Sequence, residues 1–449
     1  MPEDRAAALT DTLIDTLRAR SADEGAWLDA VDAVARDVLT VEKANPDFAA
    51  ARVLERLADP DRVIAFRVTW RDDAGRVRIN RGWRVQQSNL LGPYKGGLRW
   101  HPATTLPVLK SLAFEQVFKN ALTGLPLGGA KGGSDFDPAG ASAAEIERFA
   151  LAFMGELAPH IGPDRDVPAG DMGVGAREIG LLSRAYTLQA RAWGGALTGK
   201  PLCIGGSPMR VQATGYGLVF FLCAMLDAAE TEIEGQRIAI SGRGNVALHA
   251  ARKAGALGAR VIALSSRAGL WHAPDGFTDA ALDWLASADG DTATDPPGDL
   301  GVRFTPGAKP WGLEPDIALP CATQNELDAD DARALVDGGC RFVAEGANMP
   351  LTAEAQQVLL RAGVVCAPGK ASNAGGVAVS GLEMRQNAGF ATWSPARIEG
   401  ELREIMRSIH DRVAEEGRAS GDGAPDYHRG ANRAAYRRLA RAVIEGGAV

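Results

Sequence analysis

Apolar residues recur three and four apart through "DTLIDTLRAR" and "DAVDAVARDVL", so residues 1 to about 60 are expected to fold as helices that pack by one face. The period then falls to two. Residues 62–70 ("RVIAFRVTW") and 76–89 ("RVRINRGWRVQQSN"), joined across "RDDAG", alternate like paired strands. Residues 104–122 return to helical spacing, with Pro107 near the first turn. Beyond about residue 205, short apolar runs alternate with helical stretches at 236–242, 259–266, 315–322, 340–348 and 363–369. Each run ends in small or polar residues. This order predicts a parallel sheet wound by helices, a fold that binds ligands at the carboxyl ends of its strands. Residues 286–299 ("ASADGDTATDPPGD") have the composition of a loose surface loop.

Composition narrows the class. The chain has 449 residues, 46% hydrophobic and 23% charged, enough for two or three globular domains. No apolar run approaches a bilayer span, and "MPEDRAAALTDTL" lacks the apolar segment of a secretory leader, so a soluble cytoplasmic protein is expected. Five cysteines without a CxxC pair read as reduced core residues, and no histidine spacing suggests a protein-held metal. A net charge of -7 offers no general attraction to nucleic acid or membranes. Any anion site must then be a local concentration of positive charge.

"GRGNVA" (242–247) closes one strand and opens a helix. GxGxxA at such a junction lets backbone turn at Gly242 and approach a pyrophosphate at Gly244, which makes Gly242, Gly244, Asn245 and Val246 candidate cofactor contacts. The following strand ends in Ser265, Ser266 and Arg267, without the carboxylate that usually holds a ribose 2'-hydroxyl. Ser266 with Arg267 suits a 2'-phosphate, so NADP is favoured over NAD; a solvated surface arginine is the competing reading. "GGALTGKP" has phosphate-loop spacing, but Pro201 replaces the required hydroxyl and no strand precedes it.

Lys95 in "PYKGG" and Lys131 in "GGAKGG" are framed by glycines, which implies close backbone approach. Gln116 and Lys119, three apart on one helix, could share a small anion. Asp171, between glycines in "PAGDMGVG", reads equally as a turn residue or as a carboxylate able to exchange protons with a buried lysine.

Taken in order, "GPYKGGLRWHP", "LAFEQVFKNALTGLPLGGAKGGSDFDP", "DVPAGDMGVGAREIG", "ATGYG", "SGRGNVA", "DIALPCATQNEL", "VAEGANMP" and "APGKASNAGGVAVSGLEMRQN" closely resemble the glutamate dehydrogenase family, in particular its hexameric microbial NADP-type members. The resemblance implies an α/β fold of two domains: residues 1–204 for substrate binding and assembly, joined by the C-terminal helix from about 425 to 449, and a Rossmann-type domain over 205–424. It implies Lys131 as the catalytic amine and Asp171 as its proton-transfer partner. Lys95 and Ser380 would bind the substrate's side-chain carboxylate, and Gln116 and Lys119 its alpha-carboxylate. Thr214, Asn245 and Asn373 match positions around the nicotinamide and its ribose. The implied reaction is reversible oxidative deamination of L-glutamate to 2-oxoglutarate and ammonium, in a homohexamer.

Two stretches depart from the family pattern. "RPEATGYG" is "RVQATGYG" here, with Val211 and Gln212, and the usual "SDS" after the second strand is "SSR". Two rival readings stand beside the main one. A dehydrogenase for leucine, phenylalanine or valine would have an apolar side-chain pocket, against which Lys95 and Ser380 argue. A catalytically silent regulatory homologue would have lost Lys131 or Asp171.

Overall fold

The computed structural model describes residues 2–287, 294–418 and 424–447, so the centre of the expected loop at 286–299 lies outside the described residues. The chain divides into two compact units, the first formed by Met1–Arg210, Val379–Ile398 and Asn432–Val449, the second by Val211–Ala378 and Glu399–Ala431.

In the first unit five strands, β1 (Arg62–Arg71), β2 (Val77–Ser88), β3 (Tyr94–Trp100), β4 (Gly129–Ser134) and β5 (Asp166–Gly170), lie in the order β1-β2-β4-β3-β5. β1, β2 and β4 pair antiparallel, whereas β3 runs parallel to both β4 and β5. The glycine-framed stretches around Lys95 and Lys131 are the strands β3 and β4. Every residue of β4 is buried, which erases the alternation that marks a half-exposed strand. Its glycines answer crowding, because a Cβ at Gly129 would stand 2.4 Å from the Val117 side chain of the helix Leu106–Leu122. A Cβ at Gly96 of β3 would stand 1.5 Å from the Ala130 carbonyl oxygen. The helices Ala143–Leu157 and Ala176–Ala190 supply Phe149, Phe153, Ile179 and Leu182 to a core that also holds Trp100 and Phe136.

The later segments join this unit through polar contacts. Glu383, 0% exposed, accepts from the Lys200 ammonium at 2.6 Å and the Gly199 amide at 2.9 Å. Toward the C-terminus Tyr436 donates to Glu42 at 2.6 Å, and Arg438 donates to the carbonyls of Ala121, Gly124 and Leu125.

The second unit holds β6 (Arg237–Ile240), β7 (Arg260–Ser265), β8 (Gly269–His272), β9 (Arg303–Pro306), β10 (Ile317–Leu319), β11 (Phe342–Ala344) and β12 (Val365–Ala367), in the order β12-β11-β10-β6-β7-β8-β9. The pairs from β12 to β7 are parallel, as the alternation predicts. β8 and β9 add an antiparallel edge that the alternation of apolar runs and helices does not show. The helix Asn245–Ala256 buries Ala247, Ala250, Ala251 and Ala254. Small residues permit close approach here: a Cβ at Gly215, in the helix Ala213–Ala228, would lie 2.6 Å from the Ala250 nitrogen. Among the described residues, no helix is long and apolar enough to cross a membrane.

Candidate active site

β4 carries Lys131 into the interior of the first unit, where the residue is 5% exposed. Its Nζ lies 3.3 Å from Oδ2 of Asp171. Asp171 follows the last residue of β5 and opens a turn closed by a bridge to Val174. Arg99, from β3, donates through Nε to the same oxygen at 2.8 Å. Gly97 makes room for this arrangement, since a Cβ there would stand 2.8 Å from the Asp171 Cβ. Burial pushes the Lys131 ammonium below its ordinary value, and the attraction of Asp171 only partly offsets it. Burial alone would raise Asp171, yet the charges of Lys131 and Arg99 outweigh it and hold the carboxyl below the usual range.

Lys119, on the helix Leu106–Leu122, is pushed down to about 8 by burial and by the neighbouring charge of Lys131. Gln116, one turn earlier, donates to Asn120 Oδ1 at 2.7 Å. Asn120 in turn donates to the carbonyls of Lys95 at 3.0 Å and Gly128 at 2.5 Å, so the amide of Gln116 is oriented by backbone of the two lysine-bearing stretches.

Lys95 is 1% exposed and donates to Thr198 Oγ1 at 2.7 Å. Burial, then the charges of Arg210 and Arg84, hold its ammonium well below the ordinary value. Ser380, also buried, accepts from Arg210 Nε at 3.2 Å. The positive charge of Arg210 lowers Lys95 and, more weakly, Lys119, so positive charge is concentrated among the candidate substrate residues. Behind them Arg84 and Asp166, each with its side chain fully buried, pair at 2.5 Å and 2.9 Å. Arg84 also donates to the Gly96 carbonyl at 3.2 Å, fixing β3 beside Lys95. A compact anion with two carboxylates matches this charge distribution.

Arg99 lies inside "GPYKGGLRWHP" and Arg210 opens "RVQATGYG", but the sequence reading singles out neither of them, nor Thr198. Arg99 could be found once "YKGGLRW" is read as a strand, because Lys95, Gly97 and Arg99 then share one face. Thr198 and Arg210 come from segments distant in the chain from β3. Thr198 lies in the phosphate-loop look-alike, whose Lys200 is bound by the buried Glu383.

The candidate cofactor residues lie in the second unit. Gly242 adopts φ 88°, in the left-handed region that favours glycine. Gly244 is the N-cap of the helix Asn245–Ala256, which has no side-chain cap, and a Cβ on it would meet no atom within 4 Å. Protein packing leaves that space open, as a phosphate approaching a helix N-terminus requires. Asn245 donates to the Val211 carbonyl at 2.6 Å, Val246 is half-buried, and Thr214 stands in the first turn of the helix Ala213–Ala228. Ser266 and Arg267 form the turn from β7 to β8, where Ser266 Oγ accepts from the Ala268 amide at 3.0 Å and Arg267 is exposed. Asn373 is buried and donates to the Gly346 carbonyl at 3.1 Å and Asn348 Oδ1 at 3.2 Å, just beyond β11. The glycine loop, the serine-arginine turn and Asn373 thus gather at the carboxyl ends of β6, β7 and β11, where a parallel sheet binds its ligand. Their chemistry fits a dinucleotide.

Residues 60–188 match the family description "Glu/Leu/Phe/Val dehydrogenase, dimerisation domain", and residues 205–447 match "Glutamate/Leucine/Phenylalanine/Valine dehydrogenase". An NADP-specific glutamate dehydrogenase of Salmonella typhimurium is 50% identical over 410 residues, covering 90% of this chain and 91% of the relative. An NAD-specific glutamate dehydrogenase of Bacteroides fragilis is 45% identical over 443 residues, covering 98% and 99%. The crystal structure of a Plasmodium falciparum glutamate dehydrogenase superimposes with a TM-score of 0.94 at 41% identity, covering 99% of this chain and 96% of that one.

Proposed function

Since the chain belongs to the glutamate/leucine/phenylalanine/valine dehydrogenase family, we infer that it catalyses the reversible NADP-dependent oxidative deamination of L-glutamate to 2-oxoglutarate and ammonia. The observation that carries this choice within the family is the pairing of buried Lys95 and half-buried Arg210 with Ser380 and Thr198, which suits a substrate whose side chain ends in a carboxylate. A leucine, phenylalanine or valine side chain would leave Lys95 buried without an anion.

The first unit binds substrate and the second binds cofactor. Lys95 and Ser380 hold the side-chain carboxylate, supported by Arg210, while Lys119 and Gln116 hold the alpha-carboxylate. Two anchors at opposite ends of the molecule fix the alpha carbon between them. NADP supplies the acceptor, or in reverse the donor, of hydride. Lys131, with its proton affinity lowered, accepts a proton from the water that attacks the imine carbon and stabilises the charge that develops there. Asp171, kept anionic by Lys131 and Arg99, relays protons to and from the substrate nitrogen. Gly242, Gly244, Asn245 and Val246 would cradle the cofactor's pyrophosphate, Ser266 and Arg267 its 2'-phosphate, and Thr214 and Asn373 the nicotinamide end. A cytoplasmic homohexamer completes the proposal, and a light-scattering mass other than six chains would overturn that assembly.

Ammonium-dependent oxidation of NADPH and NADH with 2-oxoglutarate and with 2-oxoisocaproate tests the reading. Fast NADPH oxidation with 2-oxoglutarate is expected. Activity confined to 2-oxoisocaproate would assign an apolar substrate, and none with either acid would point to the silent homologue.

A further inference from the structure

Arg243 is the second residue of the glycine loop that leaves β6, and its guanidinium stands 5.7 Å from the centroid of the Trp271 ring. Trp271 is 0% exposed and lies on β8, opposite Leu264 of β7. The strands run β6, β7, β8 across the sheet. A side chain that starts just past β6 and reaches a ring on β8 therefore crosses the carboxyl end of β7. In a dinucleotide-binding sheet that strand end meets the adenosine ribose, where a carboxylate selects a 2'-hydroxyl and an arginine accommodates a 2'-phosphate. From Ser265 to Gly269 the residues are Ser, Ser, Arg, Ala and Gly, so no acid stands in this turn. Two arginines, from separate segments, converge on one strand end.

Their settings differ. Arg267 is exposed in the turn, whereas Arg243 is half-buried and lies against a buried aromatic ring. Cation–π contact with a ring that cannot move restricts the guanidinium before any ligand arrives, so less freedom is lost when its planar fork meets phosphate oxygens.

We propose that Arg243, held on Trp271, is a specificity-determining residue for the 2'-phosphate of the cofactor and contributes more to that selection than Arg267. The proposal rests on the NADP reading above. The test is calorimetric titration of the intact protein and its Arg243→Gln variant with adenosine 2',5'-bisphosphate and with adenosine 5'-monophosphate, two probes that differ only in the 2'-phosphate. The unsubstituted protein should bind the bisphosphate more tightly. Arg243→Gln should weaken the bisphosphate roughly 10- to 100-fold, as loss of a charge-assisted contact does, and leave the monophosphate within about twofold. Unchanged monophosphate binding also shows that the variant is folded. An equal loss for both probes would place Arg243 on the 5'-phosphate and overturn the proposal, as would no loss for either or a larger loss in Arg267→Gln. A protein without preference for the bisphosphate would instead refute the NADP reading itself.

Discussion

The two sheets prepare their ligand edges by opposite means. In the first unit, charged side chains are buried beside glycine-bearing strands: Lys95, Lys131 and the Arg84–Asp166 pair are almost inaccessible, and β3 and β4 press together where glycines leave room. In the second, alanines and glycines bring helices and strands close, and open backbone remains at a helix N-terminus. Desolvated charge suits both the recognition of a small dianion and the tuning of a lysine for proton transfer. Backbone amides and dipoles suit a large cofactor that brings its own chemistry. Deleting side chains should therefore damage the first unit, whereas adding atoms should damage the second.

Lys131→Ala is the largest expected effect. Turnover should fall roughly 10²- to 10⁴-fold, the range of a lost acid-base group, with NADPH binding by fluorescence titration nearly unchanged. Ordinary turnover in this variant would remove Lys131 from the mechanism. Arg84→Met leaves Asp166 buried without its cation and should lower stability to urea by about 3–5 kcal/mol. A loss below about 1 kcal/mol would mean that the buried pair does not hold the first sheet together.

Lys95→Leu should reduce kcat/KM for 2-oxoglutarate roughly 100-fold, equivalent to one charge-assisted bond, while raising that for 2-oxoisocaproate. An unchanged substrate profile would show the side-chain pocket to be elsewhere. Gly244→Ala sharpens the contrast from the other side. No protein atom opposes the added Cβ, so urea stability should hold or rise by about 0.4–1 kcal/mol, yet NADPH affinity should fall roughly tenfold because the methyl occupies the phosphate approach. Destabilisation without loss of affinity would reverse that assignment.

The smallest effect is a matter of pH. Lys119 is held down to about 8, so raising pH through that value removes the positive charge proposed to hold the alpha-carboxylate. The pH profile of kcat/KM for 2-oxoglutarate should decline above about 8, and Lys119→Arg should move the decline upward because a guanidinium keeps its proton. A decline that stays in place in this variant would assign it to another group.

Much of this contrast is legible in the sequence. The second sheet announces itself because its runs are apolar and separated by helical stretches, and "GRGNVA" marks its ligand edge. The first is harder to read where it matters most. β4 is buried on both faces and rich in glycine, so neither alternation nor strand propensity reveals it. Its glycines mark the right residues and the close approach, but not what approaches, which the structure shows to be Val117 and β3. Lys95, Lys131 and Asp171 stand out by their glycine frames. Arg210, Thr198 and Asp166 do not, because burial and partnership depend on segments far apart in the chain, and single polar residues carry no record of them. β8 (Gly-Leu-Trp-His) and β9 (Arg-Phe-Thr-Pro) mix apolar with polar residues, so no continuous apolar run marks them.

Lys131 lies on the third strand of five, bonded to β2 on one side and β3 on the other. Its strand cannot detach without opening two ladders at once, so no local fluctuation of an edge releases it. The Lys131 amide should accordingly exchange its hydrogen among the slowest in the chain, at the rate set by unfolding of the whole first unit. Heat should then abolish catalysis together with that unit's cooperative melting rather than before it, which makes loss of activity a direct reporter of when this sheet comes apart.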